Sequence, residues 1–219
     1  MSESLLSQDE LSAPSSREKI LEVAESLFAA GGYSGVGMRQ IATAVGLSKS
    51  SLFHHFSSKL GLYGEVLDRV IERLEWALCD DAEHPGKAAE QLDHWIDSLV
   101  GTLAEDAPAA RLMLRALVDE EPFPPFELEP EGREMMSFET RLERVIDRFR
   151  SLLEQGIAEG VFRPVSIGDT IQTTIGAILF HFASGDLGEA LIGEPIFSGT
   201  AVKRRRRELS EFIRRGLLA

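Results

Sequence analysis

The sequence predicts an all-α protein of about nine helices, in which three short N-terminal helices precede a larger helical body. Apolar residues recur three and four positions apart in almost every segment, as on one face of a helix. No segment of useful length alternates apolar and polar residues as a half-buried strand does. The chain has 219 residues, 43% of them hydrophobic, which suffices to bury the core of one large or two small domains.

The three N-terminal helices are bounded by capping residues. Ser16 can cap the first helix at its start, and Gly31 and Gly32 can end it. The second helix, "MRQIATAVG", is closed by Gly46, and Ser48 is the next plausible N-cap. The apolar face of the first helix comprises Ile20, Val23, Ala24, Leu27 and Phe28.

The rest of the chain continues the helical pattern. A long amphipathic helix is predicted over 58–82, with a length of roughly 37 Å that could join two domains. Residues 120–132, "EEPFPPFELEPEG", interrupt the pattern as a proline-broken loop. Further helices are predicted over 87–104, 107–118, 133–159, 167–184 and 203–217.

The charge is distributed unevenly along the chain. It carries 36 acidic and 23 basic residues, for a net charge of −13, yet residues 26–64 contain no Asp or Glu. A locally positive surface on an acidic protein suggests that a polyanion meets one end only.

The remaining composition indicates a cytoplasmic protein. One cysteine, Cys79, excludes an internal disulfide framework and suits a reducing compartment. Residues 1–16 lack the basic and apolar regions of a signal peptide, so we expect a disordered polar tail. The apolar runs are far shorter than a membrane span, so no membrane association is expected.

The third helix, within "SKSSLFHHFSSK" (residues 48–59), has the character of a DNA-reading helix. Leu52 and Phe56 are four residues apart and would face the core. The opposite side is small, polar and cationic near the helix start, which suits entry into the major groove of DNA. The helix N-terminus and Lys59, at the start of the next helix, can hold phosphate. The outward and flanking residues are Lys49, Ser50, Ser51, Phe53, His54 and His55.

Other chemistries receive little support from the same residues. His54 and His55 point about 100° apart on a helix and cannot easily share a metal ion. The glycine-rich "GGYSGVG" follows a helix rather than a strand, which argues against a phosphate-binding loop. No catalytic residue, metal or cofactor is therefore predicted. An alternative remains, in which the body is an enzyme or a constitutive binding module and the N-terminal helices are only a DNA tether.

Three motifs give the N-terminal region a family resemblance. They are "F-x-x-x-G-Y", "I-A-x-x-x-G-[LV]-S" and "L-[FY]-x-[HY]-F-x-x-K", at the spacings found within residues 17–64. With these motifs the chain resembles the tetracycline-repressor (TetR) family of transcriptional regulators. The resemblance implies a helix-turn-helix DNA-binding head over 17–64 and an effector-binding, dimerising body over 65–219. The positions where that family contacts DNA are Arg39, Ser48, Lys49, Ser50, Ser51, Phe53, His55 and Lys59.

Two positions depart from the family pattern. The family often has a tyrosine where Phe53 stands, and phenylalanine cannot donate that hydroxyl to a phosphate. Gly37 and Met38 stand where threonine is frequent at the start of the second helix, and neither has a side-chain hydroxyl for a phosphate contact.

The body is expected to form a homodimer and to bind a small molecule. The dimer would be built from 167–184 and 203–217, whose small and apolar residues suit a four-helix interface. A mainly apolar effector would release a repressor of this kind from a palindromic double-stranded operator. Each candidate pocket residue could equally belong to an ordinary core; the candidates are Trp95, Met113, Phe123, Phe126, Phe138 and Phe180.

Two polar features of the body need partners. The run "KRRRR" (203–207) could be a nucleic-acid patch, but a solvated helix start paired with Glu208 and Glu211 is the favoured interpretation. The apolar segment 167–184 also contains polar residues that require a partner when buried, either a ligand or the second subunit. These residues are Gln172, Thr173, Thr174 and His181.

Overall fold

The computed structural model describes residues 15–79, 87–119 and 137–218. Within these ranges the chain forms ten α-helices, and its extended structure is limited to a single antiparallel bridge between Phe162 and Leu218. The all-α prediction is therefore confirmed, with one helix more than expected. The helices are α1 (Ser16–Gly35), α2 (Met38–Val45), α3 (Lys49–His55), α4 (Lys59–Cys79), α5 (Ala88–Glu105), α6 (Ala107–Val118), α7 (Ser137–Ala158), α8 (Ile167–Ala183), α9 (Asp186–Ile192) and α10 (Gly199–Leu217).

The unpredicted helix is α9, between α8 and α10. It has only seven residues and is bounded by Gly185 and Gly193, which have φ angles of 53° and 75°. Such φ values suit glycine, so the two residues can turn the chain on either side of α9. The last helix also begins earlier than predicted, at Gly199 instead of residue 203, where the hydroxyl of Ser198 accepts a hydrogen bond from the Ala201 N–H.

The first helix begins one residue earlier than predicted. Ser15, not Ser16, is its N-cap: the Ser15 hydroxyl accepts from the Glu18 N–H, and the Glu18 carboxylate accepts from the Ser15 N–H. This reciprocal pair requires a Glu three residues after the cap, and only Ser15 has one. The backbone leaves helical values at Gly32 (φ 70°, ψ 174°), in agreement with the predicted break.

The tight turn between α2 and α3 forms as predicted. Gly46 adopts the left-handed conformation (φ 77°, ψ 24°), and its N–H reaches the carbonyls of Ala42 and Thr43. This glycine cap closes α2 and allows Ser48 to start α3 two residues later.

Helix α4 joins the N-terminal helices to the body. It packs against α1 and also against α5 and α7. Buried side chains of the head and the body, such as Phe28, Tyr63 and Phe149, belong to one apolar cluster. The boundary expected between residues 64 and 65 falls inside α4, and the apolar core runs across it.

Within the described ranges, no single helix combines the length and the apolar composition that a membrane span needs. Among the described helices, only α8 and α9 taken together have that length and composition, and they are bent by 99° where they meet.

Candidate nucleic-acid interface

Leu52 of α3 and Phe56, which directly follows the helix, point inward, and the other side chains of α3 point outward. Leu52 is fully buried and Phe56 is 3% exposed. Six side chains on the remaining faces are exposed, as the helical spacing predicted: Lys49, Ser50, Ser51, Phe53, His54 and His55. Two buried anchors one turn apart therefore hold a short helix that presents a surface of cations, hydroxyls and imidazoles.

A cluster of hydroxyl groups orders the start of α3. The Ser48 oxygen accepts from the Ser51 N–H at 3.0 Å, which caps the helix. It also lies 2.9 Å from the Ser50 hydroxyl and 2.7 Å from the Ser51 hydroxyl. The cap fixes the helix end whose partial positive charge would face a phosphate.

Aromatic rings support both candidate lysines. The Lys49 ammonium lies 5.6 Å from the centroid of the Phe53 ring on the same helix. The Lys59 ammonium lies 4.1 Å from the centroid of the Tyr33 ring. Such a cation–π contact attracts the ammonium to the ring face and favours this placement of the lysine side chain. Phe53, which cannot offer the family's tyrosine hydroxyl, thus supports its neighbour Lys49.

Helix α2 adds an exposed polar face beside α3. Arg39 is exposed, and its carbonyl accepts from the Thr43 hydroxyl at 2.9 Å. Gly37 is the N-cap of α2 and makes no side-chain hydrogen bond, because glycine has no side chain. Gln40 and Thr43 line a shallow groove with Arg39 and were not among the predicted contact residues. Their position within about one helical turn of Arg39 is the sequence feature from which they could have been predicted.

Glu25 is the last acidic residue before residues 26–64, which contain no Asp or Glu, and it is turned away from this surface. Glu25 on α1 is 7% exposed and accepts a hydrogen bond from Arg73 of α4. Burial raises the pKa of Glu25 above its ordinary value, and the charge of Arg73 partly offsets that effect. This carboxylate therefore faces the body.

Three of the six candidate pocket residues lie in the buried core of the body. Trp95 stacks on Phe149 with ring centroids 4.3 Å apart, and Met113 and Phe138 are also buried. Phe180 is instead 52% exposed, because the buried positions of α8 lie on the opposite side of the helix. Phe123 and Phe126 lie outside the described residues.

The polar residues of α8 divide into two groups. Gln172 and Thr173 are exposed, whereas Thr174 is fully buried and His181 is partly buried. The Thr174 hydroxyl and the His181 Nε2 have no hydrogen-bond partner among the described residues. Burial, and then the charges of Arg205 and Arg204, lower the pKa of His181 to about 4.

The interpretation of 203–207 as a solvated helix start is wrong. The run lies beyond the first turn of α10, which packs against α5, and three of its arginines are partly buried. Only Arg207 pairs with Glu208 as expected, at 2.7 Å. The inward contacts are Arg204 with Glu194, Arg205 with the Ala177 carbonyl at 2.6 Å, and Arg206 with Asp97 at 3.2 Å.

A glycine-closed α2, a serine-capped α3 and an exposed cationic face define a helix-turn-helix protein of the DNA-binding type. Two family models agree with this class. Residues 20–66 match the model for bacterial regulatory proteins of the tetR family, and residues 131–213 match the tetracyclin repressor-like C-terminal domain. The chain belongs to the TetR family.

Individual proteins support the same assignment. The HTH-type transcriptional repressor KstR2 of Mycolicibacterium smegmatis is 26% identical over 201 residues, which cover 86% of this chain and 91% of that protein. Several other curated relatives match this chain over only about a quarter of their own length, such as the activator FasR of the same organism, at 26%. These curated relatives are named as transcriptional regulators, in agreement with the family assignment.

Solved structures share the fold. The ketosteroid transcriptional regulator KstR2 of Mycobacterium tuberculosis superposes with a TM-score of 0.73 at 18% identity, covering 95% of this chain and 97% of that one. AibR, solved with isovaleryl coenzyme A and operator DNA, superposes with a TM-score of 0.70 at 16% identity, covering 90% and 97%.

Proposed function

We propose that this protein is a homodimeric transcriptional repressor that binds a palindromic operator and is released by a small, mainly apolar effector. The observation that carries the proposal is the surface of α3, where exposed cations and hydroxyls stand on the buried anchors Leu52 and Phe56. No Asp or Glu occurs within residues 26–64 to repel phosphate.

The candidate DNA-binding residues take different roles in this proposal. Lys49, near the start of α3, contacts a base edge, most naturally that of guanine. Lys59 and His55 hold phosphates on either side and set the register. The other contacts to the operator come from Arg39, Ser48, Ser50, Ser51 and Phe53.

The second subunit is needed to read both halves of a palindrome. Half-sites would lie about 34–36 Å apart, or at a multiple of that distance. The exposed Phe180 of α8 and Phe212 of α10 support a dimer through these two helices, because large apolar side chains on an outer face favour burial against a partner.

The effector would bind among apolar residues of the body, near Trp95, Met113 and Phe138. The fold neighbours support a small ligand: KstR2 is described as a ketosteroid regulator, and AibR was solved with isovaleryl coenzyme A. Helix α4 joins body and head, so its tilt would change the separation of the two α3 helices. An effector that favours the tilted state with a coupling of about 1–3 kcal/mol would lower operator affinity 5- to 150-fold.

Selection of bound DNA from a random pool tests the DNA-binding part of the proposal. We expect a palindromic site with two half-sites, and Lys49→Ala should relax the base preference at one position in each. Lys87→Ala is the matched control, because it removes the same charge from an exposed position at the start of α5, outside the proposed dimer interface. Selected sequences with no common half-site, or an unchanged preference in Lys49→Ala, would contradict the assigned role.

Reciprocity tests the effector part of the proposal. A ligand that lowers operator affinity must bind more weakly, by the same factor, when the operator is present. Titration calorimetry with and without operator DNA measures that factor. Equal affinities would exclude release by this ligand.

A further inference from the structure

One nitrogen of Arg73 holds two carboxylates that come from different parts of the fold. From α4, the Arg73 Nη2 donates to the Glu25 Oε1 of α1 at 2.6 Å and to the Asp106 Oδ2 at 2.6 Å. Glu25 belongs to the head, whereas Asp106 lies in the body, between α5 and α6. We call these three residues the Arg73 clamp.

The two carboxylates of the clamp are largely shielded from water, and Asp106 is anchored at the body end. The Glu25 side chain is 10% exposed and the Asp106 side chain 22% exposed. The other carboxylate oxygen of Asp106 accepts from the Ala109 N–H and caps α6, so this residue is held by two separate contacts. Partly desolvated charge pairs are costly to break and depend on geometry. The clamp therefore favours one placement of α1 relative to α6.

A second contact between α6 and α1 lies further along both helices. Arg115 of α6 donates to the Ala30 carbonyl at 3.4 Å, close to the bend of α1. A side chain at Gly32 would have its Cβ 2.9 Å from the Arg115 Nη1, so the two helices approach closely there. Because α1 is held at two points, Glu25 and Ala30, a movement of α6 or α4 would be transmitted to the head through α1.

Glu25 also has a second cation nearby. Arg69 stands one turn before Arg73 on α4, and its charge acts to lower the pKa of Glu25. The Arg69 Nη1 is buried and has no hydrogen-bond partner among the described residues. If Glu25 leaves Arg73, the positive charge of Arg69 still offsets part of the cost of its burial.

We infer that Arg73 is a positioning residue for DNA binding, which sets the angle between head and body by holding Glu25 and Asp106 together. The inference rests on the proposed function, because a fixed angle matters only when two α3 helices of one dimer read half-sites at a fixed spacing. The clamp contributes discrimination between operator spacings, not the base preference of a single half-site.

The test uses the full-length protein and the operator selected by the wild type. Affinity is measured for this operator and for two derivatives, with one base pair added or removed between the half-sites. The wild type should bind the selected operator much more tightly than either derivative with altered spacing. For Arg73→Gln and Asp106→Asn, the ratio of affinities between the selected and altered spacings should fall by about fivefold or more, the lower end of ordinary coupling between sites. Asp106→Asn keeps an oxygen that can cap α6, so it tests the clamp even if Arg73→Gln folds poorly.

The controls separate positioning from simple destabilisation. A loss of folded protein lowers binding to every spacing equally and leaves the ratio unchanged. Arg150→Gln, which breaks an exposed ion pair with Asp147 within α7, should behave in the same way as the wild type. An unchanged ratio in both clamp variants would overturn the role of Arg73 and leave the DNA-binding proposal intact. A wild type that ignores spacing would overturn the paired half-site mode, and the clamp's role with it.

Discussion

Lys59 lies over the ring of Tyr33, with its ammonium nitrogen 4.1 Å from the ring centroid. Tyr33 in turn contacts the ring of Tyr63, whose centroid is 5.2 Å away, and stands just after the bend of α1 at Gly32. The first residue of α4 is thus placed by the end of the first helix. The contact links the "G-Y" motif to the lysine that closes the third motif.

Lys59→Ala should weaken binding to all DNA sequences alike. If each Lys59 neutralises one phosphate, its loss should reduce the salt slope of log affinity by about 0.9 per subunit. Fluorescence anisotropy with the selected operator across salt concentrations measures this slope. Lys87→Ala, with the same charge change at the start of α5, should leave it unaltered. A changed base preference with an unchanged slope would show that Lys59 reads sequence instead.

Ser48→Ala should destabilise the protein through loss of the α3 cap. The Ser48 hydroxyl accepts from the Ser51 N–H, and removal of such a cap costs about 1 kcal/mol. Urea denaturation followed by circular dichroism gives the difference in free energy of unfolding. Ser26→Ala is a suitable control, because that hydroxyl only donates to the Glu22 carbonyl within its own helix. Equal losses in the two variants would argue against a specific capping role.

Glu75→Gln should destabilise the protein at neutral pH more than at acid pH. The Glu75 carboxylate accepts from Arg144 Nε and Arg141 Nη1, both at 2.9 Å, which ties α4 to α7. The hydrogen bond from Arg144, followed by that from Arg141, lowers the pKa of Glu75 below 4.5. The stabilisation is therefore complete above the unfolded pKa and is lost as the pH falls through the folded value. We expect a cost of about 1–3 kcal/mol at pH 7.

The pH dependence distinguishes this interaction from general damage to the core. The cost of Glu75→Gln, measured by urea denaturation, should shrink as the pH is taken below 4.5. Glu72→Gln should have the smaller effect at pH 7, since Glu72 pairs with Arg141 alone among the described residues and its side chain is 44% exposed. A cost that stays constant over this pH range would rule out the ionised pair as its source.

His181 should make the protein less stable as the pH falls from about 6.5 to about 4. Burial and the charges of Arg205 and Arg204 lower its folded pKa to about 4, so the unfolded chain binds a proton more readily across this interval. His181→Gln should remove part of the decline. Unfolding free energies at pH 7.5 and 5 for both proteins provide the comparison. An identical decline would mean that other groups cause it.

Phe212→Glu should convert a dimer into a monomer. The Phe212 side chain is 69% exposed on α10, on one of the two helices proposed to meet the second subunit. Val118→Glu is the control, because Val118 is 66% exposed on α6. Sedimentation at micromolar concentration should show a dimer for the wild type and the control. A dimeric Phe212→Glu would place the interface elsewhere.

The sequence alone was sufficient for the turn before α3 and for the inward face of α3, because their signals are local. The stop at Gly46, the cap at Ser48 and the inward pair Leu52 and Phe56 all depend on residues within about one turn of each other. The Ser16 cap was wrong by one residue, since Ser15 completes the reciprocal pair with Glu18. The seven-residue α9 was missed, because two turns are too few to show a periodicity.

Only the tertiary structure decided the partners of the charged residues. Arg73 reaches carboxylates 48 and 33 positions away, and Arg206 reaches Asp97 across 109 positions. Local periodicity identifies the face of a helix that is apolar, but not the helix that packs on the other faces. The arginines of 203–207 therefore looked solvated in the sequence, and Phe180 looked buried. Their environments depend on which helices come together in the fold, and this depends on the packing of the whole core.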